Sequence, residues 1–379
     1  MKGKQLYQDK KFKEAIEVVE DVLGDSSNKR LLSEAHLLLA KCYKCQGDLK
    51  TCISSCNSAI EHNSKWKDPF IYRSACFQAL HTAFLETDGD TSDNIDKDRA
   101  EADIIVDTSK EPSDINKHKE EEAKRRLLRR NTTKTPLYVN KLDDALRLAE
   151  NGQKIFIEAG VYTVSAGEGR GLSSCYVFGK NISLIGSSTK DCILLYRKDS
   201  DSDSSSSTSS KLETFLICAG PGDPTLIKRL TFRNANSSSV KTKFFGVGGG
   251  HVQIEDCLFD GVMSGEVDAV YANSAICGSM ASSYPSPCVT IRFCIFDHCQ
   301  SFGAATFSRA CGSLTSCYFT SCGRSAVTAM DAAKVSVFNC DFGQTELTET
   351  VVGCTGSDVT VSGCYIQGIQ VMIMTDSYS

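Results

Sequence analysis

The sequence predicts a multidomain chain, an α-helical repeat array followed by an all-β solenoid of the parallel β-helix type, and three observations carry that expectation. Apolar residues recur twice at helical spacing within the first 62 residues. A charged stretch without periodicity then runs to residue 135. From residue 225 onward a four-position apolar template returns at intervals of 27, 37, 23, 23 and 24 residues. With 379 residues, 41% hydrophobic and 23% charged, the chain has enough apolar surface for more than one core.

The first element pair is KQLYQDKKFKEAIEVVEDVL, with apolar positions at Leu6, Phe12, Ala15, Ile16, Val19, Val22 and Leu23. The second is AHLLLAKCYKCQGDLKTCISSCNSAI, which repeats the arrangement 37 residues later as Leu39, Tyr43, Leu49, Cys52, Ile53, Cys56, Ala59 and Ile60. Both read as amphipathic helix pairs, and Gly47-Asp48 supplies the turn of the second. A third copy starts at Asp68-Pro69 with Phe70, Tyr72, Arg73 and Ala75 and loses the pattern beyond Leu80. Proline in a first helical turn forfeits no hydrogen bond. Cys42-x-x-Cys45 and Cys52-x-x-x-Cys56 fall on these helices, where burial in helix packing explains them better than zinc.

The array, residues 1–85, resembles a tetratricopeptide (TPR) repeat protein: Gly3 and Ala40 match its small first-helix residue, Tyr43 its aromatic, and Ala15 and Cys52 its second-helix packing residue. The resemblance implies that Lys4, Tyr7, Leu37, Lys41, Lys44, Tyr72 and Arg73 line the concave groove. Four of these are basic and none is acidic, so an acidic or carboxy-terminal peptide is the expected ligand. Arg73 matches an arginine of the family's carboxylate clamp, whereas Lys4 and Leu38 stand where that clamp uses asparagine.

Residues 86–135 are acidic and turn-rich at first, which predicts a solvated linker. KHKEEEAKRRLLRR, residues 117–130, places Glu120–Lys124, Glu121–Arg125 and Glu122–Arg126 at i,i+4 and predicts a short exposed helix. Its KRRLLRR run resembles a nuclear-localisation or nucleic-acid patch, but a solvated charged face explains it more simply. The net charge of −5 gives no general footprint for nucleic acid.

The solenoid, residues 136–379, opens with an amphipathic helix (Leu142, Ala145, Leu146, Leu148, Ala149), then a strand at Ile155-Phe156-Ile157 and a turn at Gly160-Val161-Tyr162. The helix is expected to cap the open first coil, which would otherwise expose core and strand edges. The template occupies positions x, x+2, x+5 and x+7: Thr225, Ile227, Leu230, Phe232; Val252, Ile254, Cys257, Phe259; Val289, Ile291, Cys294, Phe296. It continues as Gly312, Leu314, Cys317, Phe319; Val335, Val337, Cys340, Phe342; and Val359, Val361, Cys364, Ile366. Parity changes between x+2 and x+5, so one residue must make a bend between two short strands. A third apolar stretch precedes each later copy, at 244–247, 274–277, 303–307, 325–330 and 350–354. Three strands per coil stack Cys257, Cys294, Cys317, Cys340 and Cys364 into an interior ladder of reduced thiols. The Ser-rich segment 198–211 cannot join a core and reads as a loop between coils.

This half resembles the right-handed parallel β-helix of pectate-lyase-like proteins, many of which act on polysaccharides. Lyase or hydrolase activity is therefore the alternative function. Such chemistry needs clustered carboxylates, and here the acids are scattered. Asp260 and Asp297 share a template position, but Thr320 and Gly343 end the row. His251 follows three glycines without completing a glycosidase motif, and no nucleophile signature surrounds any of the 19 cysteines. No catalytic residue, metal ligand or cofactor is expected.

The cap helix, FLICAGPGDPTLIKRLTF and VQIEDCLFDG together resemble the SHC SH2-domain-binding protein and Nessun Dorma family. The resemblance implies a non-catalytic interaction scaffold at the cytoskeleton, spindle and midbody. No apolar run reaches the roughly 18–20 residues of a membrane span, and MKGKQLYQDKKFKEAIEVV has no export signal. The expected location is thus the cytoplasm, nuclear entry being open to KRRLLRR, with proteins as partners and neither membrane nor nucleic acid.

Overall fold

The computed structural model describes residues 2–86, 92–109, 136–164, 176–196, 215–220, 222–234, 242–261, 267–273, 285–299, 304–323, 325–343, 350–366 and 373–376. The segment 117–130 and the Ser-rich segment 198–211 lie outside them.

The helical half forms two hairpins and a single long helix. Helices α1 (Lys2–Gln8) and α2 (Phe12–Asp25) make the first hairpin, α3 (Lys29–Cys45) and α4 (Leu49–His62) the second, and α5 (Lys67–Glu86) follows. Asn28 caps α3 by accepting from the Arg30 and Leu31 amides, and Asp48 caps α4 through the Thr51 amide. Gly3 is small for a packing reason, since a Cβ there would lie 2.8 Å from Val19 Cγ2.

The second half is a parallel β-helix. Its early strands are β1 (Ile104–Val106), β2 (Leu137–Val139), β3 (Lys154–Ile157), β4 (Gly160–Val164), β5 (Tyr176–Phe178), β6 (Ser183–Gly186), β7 (Cys192–Tyr196) and β8 (Phe215–Cys218). The regular coils follow. Their x to x+2 strands are β9 (Thr225–Lys228), β12 (His251–Glu255), β15 (Cys288–Arg292), β18 (Cys311–Thr315), β21 (Lys334–Phe338) and β24 (Asp358–Ser362). Those at x+5 to x+7 are β10 (Thr231–Asn234), β13 (Leu258–Asp260), β16 (Ile295–Asp297), β19 (Tyr318–Thr320), β22 (Asp341–Phe342) and β25 (Tyr365–Ile366). The remainder are β11 (Thr242–Gly249), β14 (Val267–Asn273), β17 (Ala305–Ser308), β20 (Ser325–Met330), β23 (Thr350–Thr355) and β26 (Ile373–Asp376). Among the described residues these build three parallel sheets of 10, 8 and 8 strands.

The predicted bend is a left-handed residue at x+4, with φ near +50 to +65° at Arg229, Asp256, Phe293, Ser316, Asn339 and Gly363. The Arg229, Asp256, Phe293, Ser316 and Asn339 amides each donate to the x+3 carbonyl of the following coil. Cysteine follows at x+5 for a chemical reason beyond size. The thiols of Cys257, Cys294, Cys317, Cys340 and Cys364 each donate to the x+3 carbonyl of their own coil at 3.2–3.5 Å. Cys299 and Cys322 repeat the device after the second bend, where His298 and Ser321 are left-handed. None of the seven is in a disulfide, and all but the half-buried Cys364 are buried. Burial pushes Cys294, Cys299 and Cys340 well above the ordinary thiol range. Beside the ladder Phe232, Phe259, Phe296, Phe319 and Phe342 stack with centroids 4.5–5.0 Å apart. Gly312 stands at an inward position because the Phe307 ring fills its place, 2.5 Å from where a Cβ would sit.

The linker expectation is corrected. Residues 86–135 are not linker throughout: 92–100 form helix α6 (Ser92–Ala100), and β1 is inserted between β2 and β3 in the first sheet. Three apolar residues are too few for periodicity to reveal, yet Ile104 and Val106 enter the core with Leu142 and Leu146. The capping helix is α7 (Leu142–Leu148), its last carbonyls bound by Lys180 Nζ. In the coil of β12 the third strand is β14, which pairs with both β11 and β17, and the expected stretch 274–277 lies outside the described residues.

The two halves are packed together. The outward x+6 positions Leu258, Ile295 and Tyr318 share one apolar cluster with Ile53, Cys56, Phe77, Leu80 and Phe84 of α4 and α5. Phe77 stacks on Tyr318 at 5.8 Å, and Phe70 meets Tyr365 two coils on at 6.3 Å. On α4, Lys50 reaches Asp256 at 3.0 Å and Asn57 reaches Ser316 at 2.9 Å, again two coils apart. Seven helical residues rise about 10.5 Å and two coils about 9.6 Å. A helix lying along the solenoid axis therefore meets every second coil with residues seven apart.

Candidate peptide-binding cavity

Helix α3 turns Glu34, Leu37, Leu38 and Lys41 to one side, at i, i+3, i+4 and i+7, and α1 answers with Lys4, Tyr7 and Gln8. Trp66, just before α5, and Asp68, in its first turn, close the hollow between them, a cavity of about 300 Å³. That volume fits one or two side chains, at the small end of ligand sites.

Four of the seven predicted groove residues, Lys4, Tyr7, Leu37 and Lys41, line this cavity. Lys44 and Tyr72 pair with each other at 5.0 Å, ammonium over ring. Burial, and then the Cys45 thiol, push the Tyr7 phenol upward. The sequence missed Gln8, Glu34, Trp66 and Asp68. The stripe containing Glu34 was legible as α3 spacing, but Trp66 lies in the turn before α5, outside any periodic run.

Arg73 is corrected outright. It is fully buried against the β-helix and does not line a groove. Its guanidinium donates to Asn57 Oδ1 at 2.8 Å, to the Gly363 carbonyl at 2.8 Å and to the Cys340 carbonyl at 3.3 Å. The sequence comparison placed it on a concave face, but α5 lays that face on the solenoid. The expectation of a lining without acidic residues is corrected with it. Glu34 and Asp68 join the wall, and Lys4 pairs with Glu34 at 3.4 Å. Lys41 makes no ion pair among the described residues.

The two β-helix carboxylates that share a template position, Asp260 and Asp297, are engaged. Asp260 and Asp297 are register partners, as their shared template position predicts. Asp260 accepts from Arg233 Nε at 2.8 Å, while Asp297 meets His298 Nδ1 at 2.7 Å and His81 Nε2 of α5 at 3.3 Å. No cluster of three or more histidine, cysteine or acidic ligands fit for a metal ion occurs among the described residues. No described helix is long and apolar enough to cross a membrane.

No curated protein and no solved structure gives a significant match to the chain. Residues 242–374 match the family model described as a right handed beta helix region, the stretch that holds the coils from β11 to β26. The chain is therefore a set of helical hairpins followed by, and packed against, a right-handed parallel β-helix.

Proposed function

We propose that the protein is a non-catalytic interaction scaffold whose helical array takes a short peptide segment, as TPR arrays do. The observation that carries this reading is the cavity itself. Lys41 is a cation at its wall with no ion-pair partner among the described residues, and Tyr7, Leu38 and Trp66 lie around it. One charge beside an aromatic and aliphatic hollow fits a carboxylate, at an acidic side chain or a chain end, next to an apolar anchor. The engagement of Asp260 and Asp297 by Arg233, His298 and His81 supports the non-catalytic half of the reading.

Trp66 is the sequence's single tryptophan, so its fluorescence reports directly on the cavity. Titration with short peptides ending in an apolar residue and a free carboxylate should change the emission saturably. Amidation of the peptide, or Lys41→Glu, should weaken binding by roughly 10- to 100-fold, the worth of a charge-assisted hydrogen bond. Equal affinity for acid and amide, with Lys41→Glu silent, would remove the cavity from consideration.

The resemblance to the SHC SH2-domain-binding protein and Nessun Dorma family leads us to place this scaffold in the cytoplasm, at the spindle and midbody. A fluorescently tagged chain that stays diffuse through division would contradict that placement.

A further inference from the structure

The outward x−1 row of the first sheet, separate from both the cavity and the docked helices, carries His251, Cys288, Cys311, Lys334 and Asp358 on consecutive parallel strands. Cys288 and Cys311 are direct register partners, so their Cα atoms stand one strand spacing apart, about 4.8 Å, within the range a disulfide bridges. Cys311 is exposed and Cys288 half-buried, in contrast to the ladder thiols inside the coils. Neither thiol belongs to an apolar cluster among the described residues, so packing does not call for a cysteine at either place. Lys334 lies on the far side of Cys311, and His251 on the far side of Cys288, its Nε2 within 3.3 Å of Thr290 Oγ1.

We propose that Cys288 and Cys311 form a reversible thiol-oxidation site that takes hydrogen peroxide and closes to a disulfide across β15 and β18. The exposed Cys311, beside the Lys334 cation, is the attacking sulfur. Its thiolate displaces hydroxide from the peroxide O–O bond, giving a sulfenic acid and, after proton uptake, water. The Cys288 sulfur then attacks the sulfenic sulfur. The S–O bond breaks, a second water leaves, and the Cys288 proton passes to that water by way of His251 or solvent. Two thiols are oxidised by two electrons and one peroxide is reduced to two waters. Burial and the neighbouring Cys311 raise the pKa of Cys288, which makes it the poorer of the two nucleophiles toward peroxide. Cβ atoms joined by a disulfide lie about 3.5–4.5 Å apart, so the sheet must close slightly, and the link should be readily reduced.

The test treats the full chain with stoichiometric hydrogen peroxide, alkylates the remaining thiols and maps them by mass spectrometry. The expected result is one Cys288–Cys311 disulfide, reversed by dithiothreitol, with the ladder thiols unmodified. Cys288→Ser should stop the reaction at a Cys311 sulfenic acid that a dimedone probe captures, and Cys311→Ser should abolish both products. Free thiols at both positions after treatment, a dimedone adduct on Cys288 in the Cys311→Ser chain, or separate over-oxidation of the two without a crosslink would each overturn the proposal.

Discussion

Arg73 and Asp341 concentrate the electrostatics of the molecule at one dry point. Asp341, at an outward x+6 position of β22, is fully buried beneath α5. Burial raises its pKa to about 7, against the opposing pull of the Arg73 charge and the Ser74 hydroxyl. The unfolded value is near 4, so between about pH 4 and 7 the folded chain holds a proton that the unfolded chain has released. The contribution of Asp341 to stability must therefore fall as pH rises through that window. Urea unfolding of wild type and Asp341→Asn at several pH values should show the wild type losing ground to the variant from pH 4 to 8. A difference that does not vary with pH would refute it. Arg73→Ala should cost about 3–5 kcal/mol, the range for breaking a buried charged contact. Arg73→Lys should recover only part, because an ammonium cannot span three acceptors in a fork. Denaturant midpoints measure both. Cys294→Val should cost a modest 0.5–1.5 kcal/mol, roughly one hydrogen bond, since the Arg292 carbonyl also accepts from the Asp256 amide.

At the scale of elements, the coils hold through identical residues stacked one strand apart. Phe296 lies between Phe259 at 4.9 Å and Phe319 at 4.5 Å, and is fully buried. Phe296→Ala opens a cavity in the middle of the stack and should cost about 3–5 kcal/mol, against about half of that for Phe342→Ala near the end, where fewer neighbours lose contact. Thermal unfolding of the two variants gives the comparison. Gly312→Ala should also destabilise, by about 1–3 kcal/mol, because the Phe307 ring has to move. Phe307→Leu in the same chain should recover part of the loss. The template was readable from sequence because stacking repeats the same side-chain requirement in every coil. The second cysteine row, Cys299 and Cys322, carried the same signal at x+10 but only in two coils, too few to define a position.

At the scale of the whole molecule, helices and solenoid share a core. Leu258, Ile295 and Tyr318 would be an apolar stripe on a bare β-helix, and α4 and α5 cover it. The β-helix half expressed without residues 1–86 should bind a hydrophobic dye and self-associate, and the helical half added in trans should reverse both. Dye binding that is the same with and without the helices would mean the stripe is not an interface.

Sequence alone determined the periodic parts, because a helix face and a stacked coil each demand the same residue type again and again. The hairpins, the coil template, its bend and the buried thiols follow from that demand. Tertiary structure alone decided what depends on a single encounter between distant segments. A three-residue strand at 104–106 completes the first coil, Trp66 closes the cavity, and Arg73 leaves the groove for the carbonyls of Cys340 and Gly363. The signal for the docking was present in the outward apolar residues at x+6. What they meet was settled only by the helix itself, whose seven-residue rise matches two turns of the solenoid.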